Sequence, residues 1–573
     1  MRLTGRGGLL ISIAALLAAS AGGAQSAEPA DILLYNGKVL TVDREFSIRK
    51  AVAVRDGRIV ELGGDELAAK YDAKSKIDLG GRTLMPGFID THLHIYSLAR
   101  RQVVIEPARS IKEVQEIVRA KAAELGPGEW ITGYGWDEAL FAERRNLNRA
   151  DLDAAAPNNP VALTRAGGHS AVGNSLALKM AGIDRKTPDP PTGLIEHDAG
   201  GEPNGVVRER IDLFLRHVPP APWEELKPGY VAAMRRLLEL GITSFHSAST
   251  TIDDEPVGAG GSGKTTSGLT PRRLALLHSE TGHAIPRVTT YIDFPGPERL
   301  KAYGKKSGEG DEWVRLGGIG ENPVDGGFTG PTAWTLADYK NLPGFRGKGR
   351  YTDAELQTLV DASAANGWQL ALHAIGDAAI VQTVDAYARA LDRYPQIKDS
   401  DHRWFLDHFT VMPPEATMVK MAKYRILISQ QPNFAYNLDG RYRETLDATR
   451  YRHNNAVATP WKKFGLHVAF GSDNLPIGPM VGLYSAVTRK NPSGEVVGPE
   501  ERVSIEEAIR GYTEKAAYLS WEERSKGTLE AGKLADMIVL SADPLTVDPE
   551  AILGIKVDMT ILGGKLVYER GRP

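Results

Sequence analysis

The feature that most constrains the fold is the alternation of short apolar runs with helical stretches through the middle of this 573-residue chain. Such alternation is typical of βα units, in which helices join the strands of a parallel sheet. Amphipathic stretches at 353–365, 378–391 and 414–424 separate several of the runs. Eight candidate strands with intervening helices predict a (β/α)8 barrel within the α/β class. The runs cover residues 84–89, 161–164, 242–245, 314–319, 369–372, 404–406, 426–429 and 468–470.

The two ends of the chain have a different sequence pattern from the middle. Short β-type runs separated by turn dipeptides such as Asn36-Gly37 and Asp56-Gly57 indicate hairpins near the amino terminus, and the carboxyl-terminal residues repeat the pattern. We therefore expect a small β-sandwich built from both termini, flanking an enlarged barrel with insertions. The predicted division is a signal peptide at 1–26, sandwich parts at 27–83 and 526–573, and the barrel at 84–525.

The first residues have the pattern of a secretory signal peptide. Arg2 and Arg6 precede an apolar run at 9–21, and small residues follow it. The run is shorter than the roughly 20 residues that span a bilayer, although an uncleaved anchor is the alternative. We expect an exported protein, periplasmic or secreted, with no membrane attachment after cleavage.

Composition limits the kinds of site that the chain can build. It contains no cysteine, which excludes disulfides, thiolate nucleophiles and cysteine-based metal sites. Its net charge is only −3, so no broad basic surface is expected to bind nucleic acid. A bound metal must use histidine, aspartate, glutamate or lysine.

Potential metal ligands recur where predicted strands end. His92 and His94 follow the first run, and their spacing of two places both imidazoles on one side of an extended segment. Such a pair is weak by itself, but His373, His408 and Asp473 follow three later runs. Because active sites of barrel enzymes lie at the carboxyl ends of the strands, these residues predict one metal centre.

Residues 85–94, 373–380, 471–476 and 527–536 together resemble the amidohydrolase superfamily, in the amidohydrolase 3 branch that includes N-substituted formamide deformylase. The resemblance covers nearly the whole mature chain. It implies a distorted metal-binding barrel with a terminal β-sandwich. It also implies a metal-dependent hydrolase with a small-molecule substrate, and a homodimer is plausible.

One position departs from the family pattern. Relatives often carry a lysine, four residues before an Asp-Gly pair, whose carbamate bridges two metals. Glu321 stands in that place, before Asp325-Gly326. Glu321 could bridge two cations, or the site could hold one.

The resemblance implies hydrolysis of an amide-type C–N bond, in an N-acyl or N-formyl compound, by metal-activated hydroxide. Zinc is the expected metal, although other divalent cations fit the same ligands. Asp473 is the predicted general base and acid. A metallo-esterase, a lactonase, a deaminase or a noncatalytic metal-binding protein remain alternatives.

Five residues are further candidates for the substrate side. Trp136, Asp137, Arg165 and His169 lie in segments that resemble those lining the substrate side in the family, and His246 ends a predicted strand. Ordinary packing or hydrogen bonding is the alternative for each of them.

Residues 258–265 match the phosphate-binding expression GxxxxGK[ST]. A functional match requires an apolar strand before the motif and a helix directly after it. Acidic residues and a proline precede this segment, and further loop residues follow it. We predict a flexible glycine-rich surface loop.

Overall fold

The computed structural model describes residues 27–97, 100–253 and 268–572. The predicted signal peptide and the glycine-rich segment at 258–265 lie outside these ranges. Within them, no helix is both long and apolar enough to cross a membrane.

The centre of the fold is a nearly closed barrel of eight parallel strands. Neighbouring strands pair in chain order, and the last strand also contacts the first, so the sheet curls back on itself. In chain order the strands are β1 (Phe88–Leu93), β2 (Ile242–Thr250), β3 (Arg287–Ile292), β4 (Val314–Glu321), β5 (Gln369–Ala374), β6 (Phe405–His408), β7 (Leu427–Gln430) and β8 (Val468–Phe470).

Two details of the predicted strand order were wrong. The run at 161–164 belongs to a strand of a separate inserted sheet, whereas β3 was not predicted at all. The run at 84–89 is divided between the terminal sandwich, which contains Thr83–Pro86, and β1. The domain boundaries remain a prediction, and the boundary between 83 and 84 falls within the strand Thr83–Pro86.

The longer helices that follow the barrel strands pack around the outside of the barrel and bury one apolar face. The helix Asp353–Ala365 shows why such a segment is helical, since Thr352 and Glu355 form a capping box at its start. Leu356, Leu359 and Val360 then point to the core. The α-helices are Leu67–Lys70, Ile111–Leu125, Arg149–Ala155, Ser175–Ala181, Asp212–Leu215, Trp223–Glu239, Pro271–Glu280, Pro297–Tyr303, Asp353–Ala365, Asp377–Arg393, Pro395–Lys398, Glu415–Tyr424, Pro432–Asn437, Asp439–Thr445, Ala448–Arg452, Pro479–Thr488, Ile505–Gly511 and Glu514–Leu519.

Both chain termini contribute to a pair of packed sheets beside the barrel. One sheet contains Arg58–Gly63, Ala51–Arg55, Glu28–Tyr35 and Tyr71–Asp78 in that order. In the other, Thr83–Pro86 pairs antiparallel with Met537–Leu540, which joins the two ends of the chain. That sheet contains, in order, Lys565–Glu569, Val557–Leu562, Met537–Leu540, Thr83–Pro86, Lys38–Leu40 and Ile48–Arg49. A shared apolar core lies between the two sheets.

A fourth sheet is inserted between β1 and β2. It has its own apolar core, with Ile131, Val161 and Val172 among its buried residues. The strands lie in the order Leu194–His197, Pro203–Arg208, Ser170–Gly173, Val161–Arg165, Ile131–Trp136 and Gln102–Val104. This sheet places one wall over the mouth of the barrel, where the candidate site lies.

Candidate metal centre

Six side chains predicted as metal ligands lie together at the carboxyl-terminal mouth of the barrel. Three overlapping groups among them have ligand atoms within 4.8 Å of one another. All are buried except Asp473, which is partly exposed to a cavity. The six are His92 in β1, His94 directly after it, Glu321 at the end of β4, His373 in β5, His408 at the end of β6 and Asp473 after β8.

Glu321 occupies the middle of this cluster. Its Oε1 lies 2.6 Å from His373 Nδ1 and 3.1 Å from His408 Nε2. The same carboxylate lies 3.8 Å from His92 Nε2 and 3.6 Å from His94 Nε2. Glu321 therefore stands between two pairs of histidines, a position from which one carboxylate can bind one cation or bridge two.

The orientation of the imidazoles fits a cation. His408 Nδ1 donates to Gln431 Oε1 at 2.9 Å, which leaves the Nε2 lone pair of the neutral ring facing Glu321. His92 Nε2 is buried with no hydrogen-bond partner among the described residues. Ligands of one tetrahedral zinc ion lie about 3.3–3.6 Å apart, close to the separations around Glu321. These residues thus fit a divalent cation that is coordinated by both imidazole nitrogens and carboxylate oxygens.

The electrostatic environment favours positive charge at the same place. Burial by itself would lower the pKa of His92, but Asp407, Glu321 and Asp473 outweigh burial and raise it to about 9. His92 Nδ1 lies 3.2 Å from Asp407 Oδ1, so Asp407 orients the ring with Nε2 toward Glu321. The negative potential that attracts a proton to His92 equally favours a metal ion.

Asp473 is held in a constrained conformation at the edge of the cluster. Its φ angle is 53°, in the left-handed region that non-glycine residues rarely adopt. Its backbone N–H donates to the His92 carbonyl at 2.9 Å, and its Oδ1 lies 3.8 Å from His94 Nε2. Burial would raise the pKa of Asp473, but His94, His92 and His408 lower it further, so the carboxylate is ionised at neutral pH.

Buried carboxylates also fix the loops that carry these ligands. Asp90 Oδ1 accepts hydrogen bonds from the backbone N–H groups of Ser472 at 2.9 Å and His92 at 3.2 Å. Asp325 accepts three backbone bonds from the loop after β4 and the end of β5. Burial raises the pKa of each carboxyl to about 7. Their bonds connect β1 with β8 and β4 with β5.

A cavity of about 510 Å³ opens directly on the cluster. Glu321, His373, His408 and Asp473 line its floor. Its walls come from the inserted sheet and the loops after the barrel strands. Aromatic rings are prominent among them: Tyr96, Tyr134, Tyr230, Phe328, Phe434 and Tyr442.

Of the five residues predicted for the substrate side, the structure brings His169 to the cavity. Trp136 packs in the core of the inserted sheet. Arg165 makes a bidentate ion pair with Glu138, at 2.7 and 2.8 Å, and Asp137 pairs with Arg441 at 2.9 Å.

His246 lies inside the barrel, with its ring centroid 5.4 Å from that of Tyr291, and it does not line the cavity. Burial lowers the pKa of His246 to about 3, so the ring is neutral. None of the four residues His246, Trp136, Arg165 and Asp137 lines the cavity.

Sequence reasoning missed several residues that shape the site. Asp407 directly precedes His408 on β6, and Asp325 stands in the Asp-Gly pair used to locate Glu321, so local signals for both were present. Tyr96 and Tyr230 come from loops and helices far apart in sequence. No local pattern marks such cavity residues.

Comparison with known proteins identifies the family. The amidohydrolase family profile matches residues 76–568. The chain is 30% identical over 552 residues to YtcJ of Bacillus subtilis (strain 168), which carries an amidohydrolase name, covering 94% of this chain and 99% of that protein. It is 28% identical over 561 residues to N-substituted formamide deformylase of Arthrobacter pascens, covering 94% and 98%.

Solved structures agree on the fold. A metal-dependent hydrolase from Pyrococcus horikoshii superposes with a TM-score of 0.68 at 22% identity, covering 91% of this chain and 99% of that one. One from Pyrococcus furiosus gives 0.65 at 24% identity, covering 90% and 100%. The family profile and the relative of 30% identity show that the chain belongs to the amidohydrolase family and, with the histidine and carboxylate cluster at the barrel mouth, that it is a metal-dependent hydrolase of that superfamily.

Proposed function

We propose that this protein hydrolyses the C–N bond of an N-acyl or N-formyl compound, with zinc in the cluster at the barrel mouth. The observation that carries the proposal is the placement of the ionised Asp473 beside His94 and Glu321, at the boundary between the cluster and the cavity. The similarity to N-substituted formamide deformylase over 94% of the chain supports the choice of an amide-type bond.

The metal would be held by His92, His94, Glu321, His373, His408 and Asp473, as one cation or as a pair bridged by Glu321. When bound, a divalent cation supplies a Lewis acid that polarises a carbonyl and lowers the pKa of its bound water to about 7. This chemistry needs open coordination positions, and the cavity above the cluster provides the access.

Asp473 performs the proton transfers. Its carboxylate accepts one proton from the attacking water while the water oxygen bonds to the carbonyl carbon of the substrate. The proton then passes from Asp473 to the leaving nitrogen as the C–N bond breaks. The products are a carboxylic acid, or formic acid, and an amine.

The cavity favours an apolar or aryl group on the substrate. Tyr96 stacks at 6.1 Å over His94, and its ring centroid lies 5.9 Å from that of Tyr134. Phe434 stacks on His408 at 6.0 Å. Rings placed beside the cluster in this way can pack against an apolar substituent while the amide reaches the metal.

A hydrolysis screen with metal analysis tests the proposed function. The protein is stripped with a chelator, reloaded with zinc and assayed against N-formyl amines, N-acyl amino acids, small amides, lactones and aryl esters. We expect zinc-dependent release of amine from an amide class. Turnover confined to esters or lactones, or no zinc-dependent turnover, would contradict the proposal.

We further propose that the mature protein is exported, after removal of a signal peptide at 1–26, and acts on a small-molecule substrate rather than on nucleic acid or membranes. Amino-terminal sequencing of protein from the periplasmic or extracellular fraction tests the cleavage. A full-length protein retained inside the cell would contradict it.

The homodimer implied by the family resemblance also remains a proposal. Sedimentation of the purified chain would test it, with a dimeric mass expected and a monomeric mass contradicting it.

A further inference from the structure

His169 reaches the cavity from the inserted sheet rather than from the barrel. It directly precedes the strand Ser170–Gly173, and Glu209 directly follows the neighbouring antiparallel strand Pro203–Arg208. The Glu209 backbone N–H donates to the His169 carbonyl at 2.7 Å. The two residues therefore stand side by side at one end of the inserted sheet.

The two side chains form a buried pair. His169 Nδ1 lies 3.0 Å from Glu209 Oε2, and both side chains are about nine-tenths buried, with 10% and 8% exposed. Glu209 also accepts hydrogen bonds from Arg350 and Thr332, which belong to the loop after β4. Arg350 and Thr332 therefore fix the carboxylate of Glu209 in the position from which it orients the His169 ring.

The other ring nitrogen of His169 faces the cavity. No described residue hydrogen-bonds to His169 Nε2, whereas Nδ1–H is directed to Glu209. A Cβ added at Gly327, another residue of the cavity wall, would lie 3.2 Å from Nε2. In the neutral ring with Nδ1 protonated, Nε2 is a hydrogen-bond acceptor.

This acceptor and Asp473 approach the metal-ligand cluster beside different histidines. The His169 ring centroid is 5.8 Å from that of His373, whose Nδ1 contacts Glu321 Oε1. Asp473 lies beside His94, which contacts Glu321 Oε2. Both residues line the same cavity, so a substrate amide bound between them would have Asp473 on one side and His169 on the other.

We propose that His169 Nε2 accepts a hydrogen bond from the N–H of the scissile amide, so that the substrates are secondary amides or formamides. The inference rests on the proposed function. As the amide carbon becomes tetrahedral, the nitrogen becomes pyramidal, with its lone pair and its N–H bond on different sides. The lone pair receives the proton from Asp473, and the N–H stays bound to His169. Glu209 is the positioning residue that holds the ring.

The test compares an amide with its oxygen ester, which lacks the N–H but has nearly the same shape. We would measure kcat/KM for N-(2-phenylethyl)formamide and 2-phenylethyl formate, and for the matched acetyl pair, with zinc-loaded protein. In His169→Ala we expect the amide-to-ester ratio of kcat/KM to fall about 10- to 100-fold, because only the amide loses a hydrogen bond. His169→Gln keeps an acceptor at a similar reach and should retain more of the ratio than the alanine variant.

The matched control is His197→Ala, which removes an exposed histidine of the same inserted sheet and should leave the ratio unchanged. Zinc content and thermal unfolding of each variant establish that it is folded and loaded. A comparison that needs no variant uses N-methyl-N-(2-phenylethyl)formamide, which the wild type should hydrolyse at least 10-fold more slowly than the secondary formamide.

The outcomes separate the two proposals. Equal losses for amide and ester in His169→Ala, or an unchanged ratio, would overturn the role of His169 and leave the proposed function intact. Equal turnover of the tertiary and secondary formamides would overturn it as well. Absence of zinc-dependent hydrolysis of every amide by the wild type would instead contradict the proposed function.

Discussion

The two ends of the barrel both bury charged side chains, but they satisfy those charges in different ways. At the base, Lys526 Nζ lies 2.8 Å from Glu522 Oε2, and Arg287 Nε lies 2.7 Å from Asp536 Oδ2. Both of these buried acids are paired with a cationic side chain. At the mouth, the carboxylates of Glu321 and Asp473 face imidazoles.

The two ends of the barrel are therefore suited to different roles, one in stability and the other in metal binding. Two opposite side-chain charges that neutralise each other have no remaining charge to attract an external cation. Removing one of the two side chains leaves the other charge buried and unpaired. A cluster of carboxylates and histidines has spare negative potential and ligand atoms. The base therefore holds the fold together, whereas the mouth can bind a metal. Variants at either end are therefore expected to affect different properties.

The largest expected effect is on catalysis at the mouth. Asp473→Asn keeps the size of the side chain but removes the proton acceptor, and we expect kcat to fall about 10²- to 10⁴-fold. Steady-state kinetics of zinc-loaded protein would measure it, with thermal unfolding as the control for folding. A variant that binds zinc and keeps near-wild-type kcat would remove Asp473 from the mechanism.

At the base, Lys526→Met removes the nearer of the two cations beside the buried Glu522, since Arg315 Nε remains 3.7 Å from Glu522 Oε1. We expect the free energy of unfolding to fall by about 3–5 kcal/mol, while zinc stoichiometry stays the same. Denaturant unfolding measures the loss. The double variant Lys526→Met with Glu522→Gln should recover part of it, because no unpaired charge remains. Loss of zinc binding in the folded single variant would show that the two ends are not separate.

A smaller effect is expected from the residue that orients His92. Asp407→Asn removes the charge beside His92 Nδ1, and we expect metal affinity to fall about 10- to 100-fold. Competition with a chromogenic zinc chelator would report the affinity. Asp399→Asn, which changes an exposed carboxylate, is the matched control. Equal affinities in the two variants would contradict the role of Asp407.

The smallest effect concerns pH and a histidine at the base end of β8. Burial, with Lys515 and Arg403 nearby, lowers the pKa of His467 to about 3, whereas the unfolded value is about 6.5. Between these values the unfolded chain binds more protons. The stability contributed by neutral His467 is therefore full above pH 6.5 and is lost as pH falls, by about 1.4 kcal/mol per pH unit.

His467→Gln should flatten the pH dependence of the unfolding free energy by that slope. The measurement is denaturant unfolding of both proteins at pH 6.5, 5.5 and 4.5. Parallel curves for variant and wild type would contradict the assignment.

The ligands at the barrel mouth could be predicted because each one follows an apolar strand, and the fold brings such strand ends together. The strand Arg287–Ile292 was missed because Thr289 and Thr290 interrupt its apolar pattern, although both are fully buried. The run at 161–164 was assigned to the barrel because a buried strand has the same apolar pattern in any sheet. Membership of a sheet depends on contacts between distant segments.

The cavity wall could not be predicted for the same reason. His169 was singled out, but its partner Glu209 lies 40 residues away and meets it through strand pairing. Arg350, whose positive charge balances that of Glu209, lies in the loop after β4. Contacts between side chains that come from an inserted sheet and from a distant loop leave no local signal in the sequence.

A metal count per chain by mass spectrometry, after stripping and equilibration with zinc, determines whether the barrel mouth holds a metal. Wild type is compared with Glu321→Ala at the mouth and Glu522→Gln at the base. We expect one or two zinc ions per chain in the wild type and in Glu522→Gln, and fewer in Glu321→Ala. A wild type without stoichiometric zinc, or a Glu321→Ala protein with the same content and affinity, would contradict a metal site at the barrel mouth.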